Sequence, residues 1–255
     1  MGILNSQLIK DNLIDKNIDV IIKETTLSTN DDAKSLSLSN KQVVVIAESQ
    51  EKGRGRLNRV FYSPKGKGVY MSVLLKPDLS ITDSVKITTF VAVACARVIE
   101  RLAGVKVDIK WVNDLYINGK KVCGILTESA MDVKTGKLKY AVCGIGINCY
   151  GLDFPSEISF IATSIEKESG VKIDRNLLIS AILNEIKDIK KEIESENYIK
   201  EYKARQFILN KEILVISSGE SYKATALDIT NNGSLIVEKN GEKITVNSGE
   251  VSIKV

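Results

Sequence analysis

Residues 52–67 begin Lys52-Gly53-Arg54-Gly55-Arg56-Leu57-Asn58-Arg59 and continue to Lys65 and Lys67, with six cations and no acid. Guanidinium groups are planar forks that fit carboxylate or phosphate. Glycine lets a backbone approach a ligand closely. The tract therefore suits an anion-binding loop. It matches neither GxxxxGK[ST] nor GxGxxG, so it is neither a P-loop nor a Rossmann turn. A plain solvated basic loop, and a nucleic-acid contact with Phe61 and Tyr62 as stacking rings, stay open beside it.

A second group is Lys110-Trp111-Val112-Asn113-Asp114-Leu115-Tyr116, with Lys121 across Asn118-Gly119. Asn-Gly is the preferred pair for a two-residue hairpin turn. Such a turn pairs Tyr116 with Lys121, Leu115 with Val122 and Asp114 with Cys123. Strand alternation then puts Asp114, Tyr116, Lys121 and Cys123 on one face. Asp114 and Lys121 become diagonal neighbours at roughly 7–8 Å, within bridging distance of a small ligand. A surface lysine beside a turn is the plainer reading. A third group, Gly144-Ile145-Gly146-Ile147-Asn148, puts two small residues and an amide on an apolar strand, which by itself fits close packing.

The composition narrows the chemistry. The 255 residues include no histidine. Ser-His-Asp and Cys-His catalysis and His-ligated metal sites are excluded. Lys and Arg number 36 against 32 Asp and Glu, so a basic site must come from local clustering. Cys95, Cys123, Cys143 and Cys149 form no CxxC and read as reduced thiols. Phe90–Ala96, the longest apolar run, is cut by Arg97 and falls far short of the ~18 residues of a membrane span. There is no signal-peptide pattern, so a cytoplasmic protein with no membrane partner is expected.

The elements that must position these groups follow from periodicity. Short helices are expected at 8–13 and 30–37, the second entered through Ser28-Thr29-Asn30. Strands are expected at 19–22, 43–47 and 69–75. Ile87, Phe90, Val91, Ala94, Val98 and Leu102 recur at helical spacing, and Gly104 stops that helix. Asp108–Ile117 and Lys121–Thr127 read as one hairpin, and Leu138–Asn148 as a strand. Asp174 caps a helix whose stripe runs Leu178, Ile182, Ile186, Ile189, Ile193, and 198–205 adds a shorter one. From Ile213 onward, turns at Ser218-Gly219, Asn231-Asn232-Gly233, Asn240-Gly241 and Ser248-Gly249 indicate a small all-β unit. The expectation is an α+β domain at 1–206 and a small β-barrel at 207–255.

Taken in order, Ser28-Thr29-Asn30, Gln50 with GRGR at 53–56, KWVNDLY at 110–116, KKVCGIL at 120–126 and GIGIN at 144–148 resemble the biotin protein ligases over nearly the whole chain. The resemblance implies a mixed-sheet catalytic domain of the biotin/lipoate ligase type with an SH3-like C-terminal barrel. It implies two steps, in which ATP with Mg2+ and biotin give biotinyl-5′-AMP, and a lysine of a biotin carboxyl carrier protein then takes the biotinyl group. By resemblance, Ser28, Thr29, Asn30 and Gln50 line the biotin head-group pocket, with Gly124, Leu126, Gly144 and Gly146 bordering the ligand. Arg54, Gly55 and Arg56 belong to the loop over the adenylate. Lys121 contacts the biotin carboxylate, and Asp114 helps deprotonate the incoming lysine. Arg56, Arg59, Phe61, Asn113 and Asn148 fall on the nucleotide side, with no metal ligand assigned.

This agrees with the charges. A carboxylate meeting an α-phosphate at 4 Å costs about 4 kcal/mol at an effective dielectric near 20, so cations must stand nearby. Departures from the family pattern are Val112 where Pro is usual, Asn58 where Gly is usual, and Phe61 where Trp is common. Only 27 residues precede Ser28, so the resemblance points to the monofunctional kind, without DNA binding, as a monomer or weak homodimer. Two alternatives stand beside it: a lipoate–protein ligase of the same core fold, and a nucleic-acid-binding module using 52–67.

Overall fold

The computed structural model describes residues 2–39, 41–151, 153–217 and 219–252, together with the backbone but not the side chain of Asn58. The chain begins with α1 (Ser6–Asp11), β1 (Asp19–Thr26), α2 (Thr29–Ser35) and β2 (Val43–Gln50). After the glycine-rich loop come β3 (Gly68–Leu75) and α3 (Ser84–Ala103). Strands β4 (Asp108–Lys110), β5 (Asp114–Ile117), β6 (Lys120–Met131) and β7 (Leu138–Asn148) follow. Helices α4 (Ile165–Ser169), α5 (Arg175–Ile186), α6 (Ile189–Ser195) and α7 (Asn197–Ala204) lead to a second sheet. That sheet holds β8 (Glu212–Ser217), β9 (Glu220–Ile229), β10 (Leu235–Lys239), β11 (Glu242–Val246) and β12 (Glu250–Ser252).

The first sheet is mixed, in the order β1-β2-β3-β7-β6-β5-β4, with only β1 and β2 parallel. The second is antiparallel, in the order β11-β10-β9-β8-β12. One face of the first sheet carries Val44, Ile46, Val69, Met71, Val73, Cys143, Ile145 and Ile147, which join the main core with α3. On the other face Val43, Val45, Leu74 and Val142 pack beneath Ala33 of α2. Helix α2 covers only part of that face, and the uncovered part carries the site.

Most expected elements form. Helix α3 ends where Gly104 takes a left-handed φ of 67°, and the Asp174 carboxylate accepts from Asn176 N–H and Leu177 N–H at the head of α5. Gly219, Gly233 and Gly241 supply the positive-φ turns of the second sheet, while Ser218 lies outside the described residues.

Three expectations are corrected. The single strand 108–117 is two strands folded against each other, Lys110 opposite Asp114, about a reversal at Trp111-Val112-Asn113. Trp111 is drawn inward there, and its indole N–H donates to Gly233 O of the second sheet at 2.8 Å. Pairing of β5 with β6 slips between Tyr116 and Leu115, so Leu115 faces Cys123 and Asp114 faces Gly124. The extra residue lets Val122 and Cys123 both be buried, which removes Cys123 from the face of Asp114. The Asp174-headed helix breaks at Lys187-Asp188, where Asp188 leaves helical geometry at φ −99°, ψ 31° and opens α6. Aspartate is a poor interior helix residue, yet the Leu178–Ile193 stripe stays buried across the break.

The start of the chain is clamped by a buried ion pair. Arg175 Nη1 donates to Glu48 Oε2 at 2.7 Å, while its Nη2 donates to Gly2 O at 3.0 Å. Leu4 N–H donates to Glu48 Oε1 at 3.2 Å. Arg175→Met is expected to cost about 3–5 kcal/mol by stranding the Glu48 carboxylate. Glu48→Gln combined with Arg175→Met should recover much of that. Urea denaturation checks both, and a single-variant loss below about 1 kcal/mol would show that the pair is not what holds the segment.

Candidate active site

The uncovered face is a trough because its floor lacks side chains. Gly124 of β6 stands opposite Gly146 of β7, and Gly144 stands opposite Leu126. On the other flank of β7, Ser72 pairs with Gly144 and Tyr70 with Gly146. A Cβ on Gly144 would overlap Asn30 Oδ1 of α2, and one on Gly146 would lie 2.6 Å from Phe61 Cε1. Gly144, Gly146 and Asn148 point the same way, so this floor runs about 13 Å at ~3.3 Å per residue. The cavity above it is about 430 Å³.

Its Gly144 end is polar and closely bonded. Gln50 Oε1 accepts from Thr29 N–H at 2.9 Å and Thr29 Oγ1 at 3.1 Å. Gln50 Nε2 donates to Ser63 Oγ at 3.0 Å. Ser72 Oγ lies 2.7 Å from Thr29 Oγ1 and 2.6 Å from Asn30 Oδ1. Ser28 heads α2 with its side chain free of any capping bond, and it too lines the cavity.

The other end is charged. Lys121 Nζ stands 2.7 Å from Asp114 Oδ1, and Lys110 Nζ stands 3.8 Å from Asp114 Oδ2. This is contact in place of the expected diagonal gap: Lys121 still stands opposite Tyr116, and its long side chain reaches Asp114. The ammonium approaches outside hydrogen-bond alignment, so Asp114 Oδ1 remains a buried acceptor without a donor. Arg56 Nη1 donates to Asn113 Oδ1 at 3.4 Å, and Asn113 Nδ2 donates to Ile125 O at 2.8 Å. Burial pushes the Arg56 guanidinium down from its ordinary value, against the attraction of Asp114 and Glu250. Asn148 Nδ2 donates to Thr163 O at 2.9 Å, while its Oδ1 is buried with no partner.

The loop of 51–62 folds over this floor as a small hairpin. Phe61 N–H donates to Gly53 O at 2.8 Å and Gly55 N–H to Arg59 O at 2.7 Å. The positive φ falls on Leu57, at 51°, one residue before Asn58. Three of the six cations of 52–67 are paired with carboxylates within the chain. Arg54 meets Asp31 at 2.5 Å and Glu128 at 3.3 Å, Arg59 meets Glu250 at 2.6 Å, and Lys65 pairs with Glu24. A tract that holds no acid of its own finds acids for these three on α2, β6, β12 and β1, which weakens the motive for a free nucleic-acid strip.

Every site residue named from the sequence lines this one cavity, whereas Cys123 does not. Sequence reasoning gave Lys110 no site role and missed Glu250 and a wall of Phe154, Ile158 and Ile161 along the cavity, and it missed Ser72, which backs the polar end through Thr29 and Asn30. Ser72 was legible only as the polar member of an alternating strand, and the 154–161 wall carries no motif. Among the described residues no group of three or more Cys, Asp or Glu is placed to hold a metal ion. No helix among them is long and apolar enough to cross a membrane.

Fold and site together define a single trough with an amide- and hydroxyl-lined end, an apolar floor and a cationic end. The sequence pattern of the biotin/lipoate A/B protein ligase family matches residues 19–148, and that of the biotin protein ligase C terminal domain matches 208–254. The chain belongs to the biotin/lipoate A/B protein ligase family. It is 42% identical over 168 residues to the bifunctional ligase/repressor BirA of Bacillus subtilis, covering 64% of this chain and 51% of that protein. The chain thus spans about half the length of the Bacillus relatives it matches. It is 27% identical to the biotin--[acetyl-CoA-carboxylase] ligase of Mycobacterium tuberculosis, covering 97% of this chain and 95% of that one. The biotin protein ligase of Aquifex aeolicus, solved with biotin and ATP, shares the fold at a TM-score of 0.76 and 24% identity, covering 92% and 97% of the two chains.

Gly146→Ala is expected to drive the Phe61 ring off the floor and to cost about 1–3 kcal/mol in stability. Urea unfolding and the Phe61 ring resonances check this. Wild-type values for both would mean that the trough tolerates a methyl group and that its bare floor has another cause.

Proposed function

We propose that the chain is an ATP-dependent biotin–protein ligase that forms biotinyl-5′-AMP and transfers the biotinyl group to a lysine of a biotin carboxyl carrier protein. What supports this is one trough with two chemically different ends. Amide and hydroxyl groups at the Gly144 end suit the ureido ring. The Gly146 floor suits the apolar chain. Lys121 and Arg56 suit a carboxylate brought against a phosphate. The lipoate reading is less well supported, because a dithiolane has no use for the polar end.

In the first step a biotin carboxylate oxygen bonds to the α-phosphorus, and the bond to the departing pyrophosphate breaks. Both reactants are anionic, so Lys121, Lys110 and Arg56 lower their repulsion in a partly dry site. MgATP enters as the co-substrate, with its ion carried on phosphate oxygens. Asn148 Oδ1, buried and unpartnered, offers an acceptor on the nucleotide side, flanked by Arg59, Phe61 and Asn113. As the carboxylate takes Lys121, the Asp114 carboxylate is released. Asp114 is then positioned to accept a proton from the carrier lysine, whose amine bonds to the anhydride carbonyl while AMP leaves. A free lysine near pKa 10.4 needs such an acceptor at neutral pH. The division of labour we propose is biotin and ATP binding by 1–206, with 207–255 bracing the nucleotide side through Glu250.

Lys121→Ala should remain folded and lose ~10²–10³ in biotin-dependent ATP/pyrophosphate exchange. Near-wild-type exchange would remove Lys121 from its role, and exchange with lipoate but not biotin would replace the function. Asp114→Asn should slow transfer to the carrier far more than adenylate formation, timed separately by single turnover. Equal slowing would make Asp114 a structural residue or a nucleotide contact.

A further inference from the structure

Glu128 does not line the trough, yet it determines what one wall of the trough can recognise. Its Oε2 receives Asn30 Nδ2 at 2.7 Å, and the second hydrogen of that amide goes to Leu126 O at 3.3 Å. A carboxylate and a carbonyl can only accept, so the amide group facing them must be NH2. Asn30 Oδ1 is therefore turned away from them, toward Ser72 and the space above Gly144. Glu128 is itself held from two further sides, by Lys34 at 2.5 Å and by Arg54 of the loop at 3.3 Å. Burial raises its carboxyl, but the bonds from Lys34 and Asn30 outweigh this and hold it below the usual carboxylate range. It stays an acceptor.

The neighbouring hydroxyl is set in the same way. Ser63 Oγ donates to Phe61 O at 2.9 Å, so it must accept from Gln50 Nε2. Gln50 Oε1 then faces Thr29, whose hydroxyl hydrogen goes to it. Ser72 has a single hydrogen to share between Thr29 Oγ1 and Asn30 Oδ1. The polar end is left with more lone pairs than hydrogens. A ligand here must bring N–H donors.

We infer that Glu128 is a specificity-determining positioning residue: by holding both amide hydrogens of Asn30 together with Leu126 O, it makes Asn30 an obligate acceptor and selects a cyclic urea over isosteres that lack the N–H. The inference rests on the biotin reading for the identity of the ligand, but not for the polarity of Asn30.

Two measurements test it on the full chain. The first needs no ligand: the Asn30 side-chain amide hydrogens should exchange slowly in the wild type and fast in Glu128→Leu. Fast exchange in the wild type would overturn the polarity outright. The second is calorimetric titration with biotin and with the two ring-oxygen analogues, in each of which one ureido N–H is replaced by oxygen. Wild type should prefer biotin over at least one analogue by ~10²-fold or more, since a site built around a ligand hydrogen strongly rejects its absence. Glu128→Leu frees Asn30 to turn its NH2 inward, and the ratio should fall to within about tenfold of unity. Glu128→Gln keeps an acceptor toward Asn30 and should keep the ratio. If Glu128 only steadied the fold or the Arg54 loop, Glu128→Leu would weaken all ligands together at an unchanged ratio, and the inference would be wrong. A protected Asn30 amide in a protein that binds no biotin would overturn the proposed function and leave the polarity standing.

Discussion

The positions 144 and 146 have to be side-chain-free, with 124 tightly bordered beside them, and the rest of the site depends on that. Asn30 and Phe61 occupy the space that a Cβ at 144 or 146 would need. Three glycines in strand interiors cost roughly 1.5–3 kcal/mol relative to alanine at ~0.5–1 each. The opposite face offsets this cost. Ile125, Ile145, Ile147 and Cys143, the alternate residues of the same strands, are fully or almost fully buried against α3. One sheet is thus closely packed on one side and bare along this strip on the other. The bare strip persists because the buried side fixes the register, and a slip by one residue would exchange the two faces.

Charge is arranged on the same principle of prior occupation. Lys121 rests on Asp114, Arg59 on Glu250, and Arg54 on Asp31 and Glu128. Several cations held close without anions would repel one another; on the proposed reading, an anion that enters beside Lys121 exchanges with the Asp114 carboxylate. Asp114 is the clearest case, since it touches Lys121 and Lys110 while one oxygen still lacks an aligned donor. On the proposed reading, this is how a chain without histidine provides a proton acceptor: a carboxylate whose partner cation leaves it when substrate arrives.

The strands at 43–47 and 69–75, helix α3 and the glycines at alternate positions of 144–148 were legible because each rests on local signals, such as a period or a glycine at alternate strand positions; the membership of the site came from the resemblance, and the order of the strands was not legible. Nor was the bulge at Val122. Alternation from the Asn118-Gly119 turn puts Cys123 beside Asp114, and only burial of both Val122 and Cys123 against α3 forces the slip that brings Gly124 there instead. The reversal at 111–113 was hidden for a similar reason. Asp108–Ile117 reads as a continuous strand, and what folds it back is the burial of one indole against a residue 122 positions away. Glu128 was passed over as one acid in a polar strand end, because its role lies in which hydrogens it accepts. Glu250 carried no signal either, since its partner Arg59 is distant in sequence and belongs to the other sheet.

That reversal also ties the two sheets to the chemistry. Trp111 is bonded to Gly233 of the second sheet, Val112 O accepts from Tyr202 of α7 at 2.9 Å, and Asn113 is bonded through both its backbone and its side chain to Ile125 of β6. Three separate elements therefore fix three consecutive residues. Lys110 and Asp114 are the residues on either side. Their separation, and with it the position of the Asp114 carboxylate against Lys121, is set by the second sheet and α7 as much as by the strands that carry them. A shift of the second sheet would reach the reacting end twice, once through Trp111 to Asp114 and once through Glu250 to Arg59. The polar end around Asn30 and Gln50 is braced by α2, β2, β3, β6 and the loop. The second sheet thus reaches both ends of the trough, the charged end through Trp111 and the loop beside the polar end through Glu250 and Arg59.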